Sequence, residues 1–285
     1  MKTDAEVKQL VKEKYTEIAR QPKEMNASSC CGATGSCTTE DVYNIMADDY
    51  TKLDGYNSDA DLGLGCGLPT EFAKIKHGDT VIDLGSGAGN DAFVARKLTG
   101  ESGKVIGIDF TDAMINLARE NAEKLGLNNV EFRQGDIEDM PVTSNKADVI
   151  VSNCVLNLVP NKHKVFSEIY RVLKPGGHFS ISDVVLEGEL PKKWKDVAEL
   201  YAGCVSGAIQ KNEYLSIINE AGFSNITVQK DKTITIPDEI LAAYLTPAEI
   251  TEYKKGKTRI TSITVYAEKQ SKDDRNCCEP GSGCC

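Results

Sequence analysis

Two groups of residues in this chain have the types and spacings that chemistry needs. The first lies in Thr80–Asp91, T-V-I-D-L-G-S-G-A-G-N-D. Val81, Ile82 and Leu84 read as a buried strand. Gly85, Gly87 and Gly89 break it, and a helical pattern opens at Asp91. Glycine is required where backbone turns sharply and touches a ligand, and a glycine loop leading into a helix N-terminus makes a nucleotide-type pocket. The spacing here is G-x-G-x-G, with Asn90 where a dinucleotide fingerprint has its third glycine. Asp83, so close to the loop, suits a pyrophosphate poorly and suits a ligand with an ammonium and a sulfonium well. The second group is the 10 cysteines. Cys30, Cys31 and Cys37 lie near one end and Cys277, Cys278, Cys284 and Cys285 at the other. Cys66, Cys154 and Cys204 fall in the middle. In a reducing compartment such thiols point to metal binding or catalysis rather than to disulfides.

The elements that must position these residues follow from hydrophobic periodicity. Val7, Leu10, Val11, Tyr15 and Ile18 predict a helix over 4–20, and Thr38 or Thr39 can cap a second running to Met46. Pro69 suits the first turn of a short helix. The core then alternates: strand 80–84, helix 90–98, strand 104–109, helix 112–125, strands 129–133 and 147–152, helix 161–172 and strand 177–183. Helices 192–203 and 211–221 follow, with strands near 224–236 and 258–268. Continuous apolar strands alternating with amphipathic helices imply an α/β, doubly wound, mostly parallel sheet. The net charge of −10 argues against a nucleic-acid partner. No apolar core follows Met1 as in a signal peptide. The uncharged run 149–161, which carries asparagines, falls well short of a membrane span. A cytoplasmic protein with no membrane association is expected.

The glycine loop with Asp83 ahead of it resembles that of class I S-adenosylmethionine-dependent methyltransferases, whose fold is a seven-stranded Rossmann-like sheet. Further positions fit the same family. V-I-G-I-D-F ends in Asp109 and Phe110, and a carboxylate there can accept from both ribose hydroxyls. Met114 is expected on one face of the adenine. Q-G-D-I-E-D-M-P supplies Asp136 for the adenine amino group, with Ile137 packed beside it. S-N-C-V-L-N-L-V-P, containing Asn153, leaves the fourth strand where the methyl donor points. V-L-K-P-G-G-H-F reads as a helix stop and a turn into the next strand. The resemblance covers roughly residues 60–230 and implies S-adenosylmethionine as cofactor, bound by Asp83, Gly85, Gly87, Gly89, Asp91, Asp109, Phe110, Met114, Asp136, Ile137 and Asn153.

Methyl transfer to oxygen or nitrogen usually needs a base. His77, His163 and His178 are the only histidines, and each reads as structural. What stands beside the expected reaction centre is Cys154. In this fold the segment before the core and the insertion after the fifth strand both cover the cofactor's methyl end, so Cys66 and Cys204 can converge on it. Three thiolates favour a soft ion over Mg²⁺ or Ca²⁺, and zinc lacks a fourth ligand. Trivalent arsenic takes three sulfurs and keeps a lone pair, so its methylation needs no general base. Through L-G-L-G-C-G-L-P, S-N-C-V-L-N-L and Y-A-G-C-V-S-G the chain resembles arsenite methyltransferases. That resemblance implies a ligand trio at Cys66, Cys154 and Cys204. It also implies an N-terminal cysteine that forms a disulfide to reduce the pentavalent product. Cys37 is the best match for it, with Cys31 and Cys30 as rivals.

The expected organisation is a helical, cysteine-rich segment at 1–60, the methyltransferase domain with its arsenic-binding insertions at 61–268, and a flexible cysteine tail at 269–285. The C-terminal part is shorter than in some members of that family. Expected partners are arsenite or methylarsenite and a thiol reductant such as thioredoxin or glutathione, acting on a monomer in arsenic detoxification. Two alternatives share parts of the pattern. A quinone- or sterol-type C-methyltransferase explains the core but leaves the three middle cysteines without a role. A thiol protein sequestering metal through its terminal clusters leaves the glycine and aspartate positions without one.

Overall fold

Helix α1 (Asp4–Arg20) opens on a capping box, in which the Thr3 hydroxyl accepts from the Glu6 amide and the Glu6 carboxylate accepts from the Thr3 amide. The computed structural model describes residues 3–21, 48–189, 207–238, 241–242 and 245–271. A short helix, α2 (Pro69–Phe72), starts on Pro69, whose fixed φ and missing N–H suit a first turn.

Beyond it the chain builds β1 (Thr80–Leu84), α3 (Asn90–Thr99), β2 (Lys104–Asp109), α4 (Asp112–Lys124), β3 (Val130–Gln134), β4 (Ala147–Asn153) and α5 (Lys162–Val172). Then come β5 (Leu173–Glu187), α6 (Lys211–Glu220), β6 (Phe223–Ile234), α7 (Pro247–Lys255) and β7 (Arg259–Lys269). The strands form one seven-stranded sheet in the order β3-β2-β1-β4-β5-β7-β6. β1 to β5 run parallel, and β7 is antiparallel to both of its neighbours. This is the doubly wound, mostly parallel architecture expected. The order reverses direction between β1 and β4, and such a switch point opens a crevice at the strands' carboxyl ends.

Burial on both faces explains the strands' composition. Val81, Ile82 and Leu84 are fully buried, as are Val149, Ile150 and Val151 beside them. Each such side chain contributes about 1.5–3 kcal/mol by leaving water, so Ile150→Ala is expected to cost about 2–5 kcal/mol. On α4, Met114, Ile115, Ala118 and Ala122 form the buried stripe that holds the helix to the sheet.

Several boundaries move. β5 starts at Leu173, not at 177: Ala147 pairs with Leu173 and Val149 with His178, so the Lys174–Gly177 stretch bulges inside the strand. Gly176, at φ +79°, supplies the left-handed turn this requires. At the other end, β7 extends through Lys269, where the tail was expected to begin. The Lys269 ammonium is buried, donating to the carbonyls of Tyr170 and Leu173 and to Asn145. That satisfied cation pins the strand end. The expected helices ending at Met46 and spanning 192–203 lie outside the described residues.

Candidate active site

At the carboxyl ends of β1, β2 and β4 a cleft encloses about 1060 Å³, counting its open mouth. The glycine loop forms one wall. Gly85, Gly87 and Gly89 all have positive φ, at +65°, +50° and +101°, but they serve different ends. A side chain on Gly85 collides with Val155, and one on Gly89 meets the rings of Phe93 and Phe132 at 2.8 and 2.9 Å. Gly87 lines the cleft, and a Cβ there touches nothing within 4 Å. Its missing side chain is therefore ligand space, whereas Gly89 does not line the cleft and is needed for packing.

The charge in the cleft is unbalanced. Asp83, Asp91 and Asp109 line it and are 2%, 8% and 7% exposed. Burial, then the neighbouring carboxylates of Asp91 and Asp109, push Asp83 well above the usual carboxylate range. Burial also raises Asp91, to about 6, against the donors Tyr50 and Asn153. Asp109 is raised by burial despite accepting from the amides of Thr111 at 2.8 Å and Gly87 at 3.1 Å. Asp83 Oδ2, Asp91 Oδ1, Asn90 Oδ1, Ser86 Oγ and Thr111 Oγ1 are buried without a hydrogen-bond partner. A buried carboxylate with one oxygen left unpartnered favours a cation or a strong donor there. A nucleoside bearing an ammonium and a sulfonium fits this donor-poor, acidic cradle.

Asp136 and Ile137 also line the cleft, but Asp136 is not idle. Lys8 of α1 donates to its Oδ2 at 2.6 Å and the Glu138 amide to its Oδ1 at 2.9 Å. Phe110 lines the cleft; Met114 does not, being fully buried on the inner stripe of α4. Five residues beyond Asp109, Met114 falls on the stripe of α4 that packs inward with Ile115, Ala118 and Ala122.

The thiol end is apolar. Cys66 and Cys154 are 0% and 5% exposed and belong to one cluster with Val11, Leu158, Val184, Leu186, Ala208 and Ile260. Cys154 lines the cleft, follows β4, and adopts φ +60°, a left-handed conformation unusual outside glycine. Such strain costs about 1–3 kcal/mol and collects at functional sites. The Cys66 amide donates to Asn153 Oδ1 at 2.9 Å, and its carbonyl accepts from Ser262. Cys204 and Cys37 lie outside the described residues, and among the described residues no three His, Cys, Asp or Glu side chains form a metal-binding group. Of the histidines, His178 is held by the Ala73 carbonyl at 2.6 Å and His163 is exposed. None of the three lines the cleft.

Residues 75–222 match the family described as a methyltransferase domain. The arsenite methyltransferase of Halobacterium salinarum is 38% identical over 282 residues, covering 94% of this chain and 68% of that one. The human arsenite methyltransferase is 30% identical over 280 residues, covering 94% of this chain and 69% of its own. The chain belongs to the arsenite methyltransferase family. Among solved structures, the arsenic (III) S-adenosylmethionine methyltransferase of Chlamydomonas reinhardtii superposes with a TM-score of 0.61 at 34% identity. That match covers 80% of this chain and 73% of that one. The matches thus span about half to two thirds of the length of its curated arsenite methyltransferase relatives.

Sequence reasoning missed two contributors to this arsenite methyltransferase cleft. Lys8, Val11 and Tyr15 bring α1 over it. The only signal was the apolar stripe of α1, which needed a partner surface. Tyr50, also lining the cleft, carried no motif at all.

Proposed function

We propose that this chain transfers a methyl group from S-adenosylmethionine to trivalent arsenic, with arsenite or methylarsenite as substrate. One observation carries the reading: Cys154 lines the same cleft as Asp83, Gly87 and Asp109, so a buried thiol and an acidic nucleoside cradle share one space.

Bound in that cradle, S-adenosylmethionine supplies an electrophilic methyl on a sulfonium. Asp109 accepts from the ribose hydroxyls, and the open oxygens of Asp83 and Asp91 face positive charge. Gly85 and Gly87 let the backbone come close, and Phe110 and Ile137 flank the base. Asp136 shares its acceptor role with Lys8.

On the other side, each cysteine thiol replaces a hydroxyl of arsenite. The As–O bond breaks, an As–S bond forms, and the thiol proton leaves with the hydroxide as water. Cys66, Cys154 and Cys204 form the trio. The chain re-enters the described residues at Gly207, and Ala208 packs in the cluster of Cys66 and Cys154, which supports the third ligand. Three sulfurs leave arsenic its lone pair as the nucleophile. No base is required, in keeping with the lack of histidine among the described residues lining the cleft.

Methyl transfer takes arsenic to the pentavalent state. Two thiols, Cys37 and one of the trio, give up two electrons as a disulfide to return it, with Cys31 and Cys30 as alternatives to Cys37. Thioredoxin or glutathione then resets the disulfide. We place this detoxification in the reducing cytoplasm, on a monomer, with the chain divided at 1–60, 61–268 and 269–285. No helix among the described residues is long and apolar enough to cross a membrane.

The test incubates the protein with S-adenosylmethionine, arsenite and a thiol reductant and separates the arsenicals by chromatography with elemental detection. Methylated arsenic is expected; arsenite returned unchanged by folded, cofactor-binding protein overturns the assignment.

A further inference from the structure

Between the acidic cradle and the Cys66 loop stands a buried hydrogen-bond junction of two side chains. Tyr50, 5% exposed, directs its hydroxyl at Asp91 Oδ2, 2.8 Å away, and at the Gly67 carbonyl, 3.2 Å away. Asn153 directs its amide nitrogen at the Gly67 carbonyl at 2.8 Å, at Asp91 Oδ2 at 3.2 Å and at the Tyr50 oxygen. Its carbonyl oxygen accepts from the amides of Cys66 at 2.9 Å and Gly67 at 3.3 Å. The loop is clasped so closely that a Cβ on Gly65 meets the Asn153 amide at 2.6 Å.

The junction is short of protons. The hydroxyl has one for two acceptors, and the amide has two for three acceptors. Which contacts are made depends on how strongly Asp91 competes for them. The other oxygen of that carboxylate, Oδ1, is buried without a partner, and Asp91 lines the cleft.

We propose that Tyr50 and Asn153 are positioning residues that couple the two ends of the cleft, so that a cationic ligand at Asp91 tightens the backbone presenting Cys66. An ammonium against Oδ1 draws charge from the carboxylate and weakens Oδ2 as an acceptor. The single Tyr50 proton then goes to the Gly67 carbonyl, and the Gly65–Cys66–Gly67 turn is held in one arrangement. Burial, and then the Asp91 carboxylate, hold the Tyr50 hydroxyl well above its usual range, so it remains a donor throughout. The inference rests on the reading of the chain as an arsenic methyltransferase, since it takes the Cys66 thiol as an arsenic ligand.

Coupling is reciprocal, so one factor describes both directions. Calorimetric titrations of fully reduced protein with S-adenosylhomocysteine, with and without arsenite, and with arsenite, with and without S-adenosylhomocysteine, measure that factor. In the unaltered protein each ligand is expected to tighten the other by the same factor, about fivefold or more. Tyr50→Phe removes the proton and keeps the ring. Each ligand alone should then bind within about threefold of the unaltered protein, while the coupling factor falls below about twofold. Asn153→Ala, which cuts the junction from the other side, should lose the coupling as well and decides the matter if Tyr50→Phe does not fold. Both ligands binding the unaltered protein independently overturns the coupling and leaves the methyltransferase reading standing, as does an undiminished factor in Tyr50→Phe. An unaltered protein that binds S-adenosylhomocysteine but no arsenite overturns the arsenic reading, and the coupling with it.

Discussion

Asp83, Asp91 and Asp109 occupy a buried site rich in acceptors and poor in donors, while Cys154, lining the other end of the same cleft, sits among aliphatic side chains in one cluster with Cys66, which is buried behind the lining. The first region stores electrostatic stress that a cationic ligand relieves. The second excludes water and holds one residue, Cys154, in a strained backbone conformation. The contrast teaches that the two halves fail differently. Under the proposed function, losing a carboxylate or glycine should damage recognition of a nucleoside, whereas losing a thiol should remove an atom that holds the acceptor. Each half can therefore be broken without the other.

Cys154→Ser breaks the thiol end and should have the largest effect. A ligand set acts as a unit, so a single loss costs nearly as much as removing the whole set. Arsenite methylation is expected to fall by about a thousandfold, with S-adenosylhomocysteine affinity changed less than about threefold. Calorimetry and product chromatography on the same preparation check both halves. Cys66→Ser and Cys204→Ser should match it, and full activity in either removes that residue from the trio.

Gly87→Val breaks the carboxylate end. The valine fills ligand space and forces φ +50° on a β-branched residue. Cofactor affinity should drop by about a hundredfold, equivalent to about 2.7 kcal/mol, with arsenite binding unchanged. Unchanged cofactor affinity would remove the loop from the site.

The acidic half was the more legible in sequence, and for a physical reason. A loop that must turn, approach a ligand and start a helix needs its glycines and aspartates at fixed local spacings, so Asp83, Gly87 and Asp109 announce themselves. Tyr50 could not, because its partners lie at Gly67, Asp91 and Asn153, far along the chain. The Lys8–Asp136 pair is equally silent, since a surface helix with a lysine does not say which carboxylate it will meet. Met114 was misplaced by helical phase: being apolar and near a strand end fits a base-stacking role and a core role equally. Nothing in S-N-C-V marks the left-handed turn at Cys154.

Cys37 should separate the two methylation steps rather than stop them. A thiol that forms a disulfide needs reach and exchange, not a fixed coordination angle. Cys37→Ser is expected to slow methylation of arsenite by about tenfold and that of a methylated trivalent thiolate distinctly less. Equal losses on both substrates would pass the redox role to Cys31 or Cys30.

A fourth change probes a carboxylate behind the thiol end. Asp183 is fully buried, and burial raises it to about 7 against the Lys162 charge and a hydrogen bond from Tyr214. Its folded-state pKa lies above its unfolded value, so the native state holds the proton more tightly, and stability falls as pH rises between the two. Asp183→Asn escapes that loss. Its Tm should pull ahead of the unaltered protein as pH passes about 4, and the gap should stop growing above about 7. A gap that ignores pH would show that Asp183 does not titrate in this window.

The smallest effect is expected from the C-C-E-P-G-S-G-C-C ending. Its paired thiols can bind soft ions, because adjacent groups raise each other's effective concentration. Glycine, serine and proline, however, give no basis for a preorganised site. Removing the residues after Gln270 spares β7, which ends at Lys269 and is anchored there by the buried ammonium. The truncated protein should therefore keep its kcat, since no described residue that lines the cleft is lost. Any change must appear at low arsenite, where capture is limiting, as an apparent KM raised by no more than about threefold. A higher KM with the same kcat makes the tail a feeder of the thiol end, and superimposable saturation curves leave the buried cysteines to gather arsenite unaided. A lower kcat would show that the tail enters the chemistry itself and is not separable from the thiol half of the cleft.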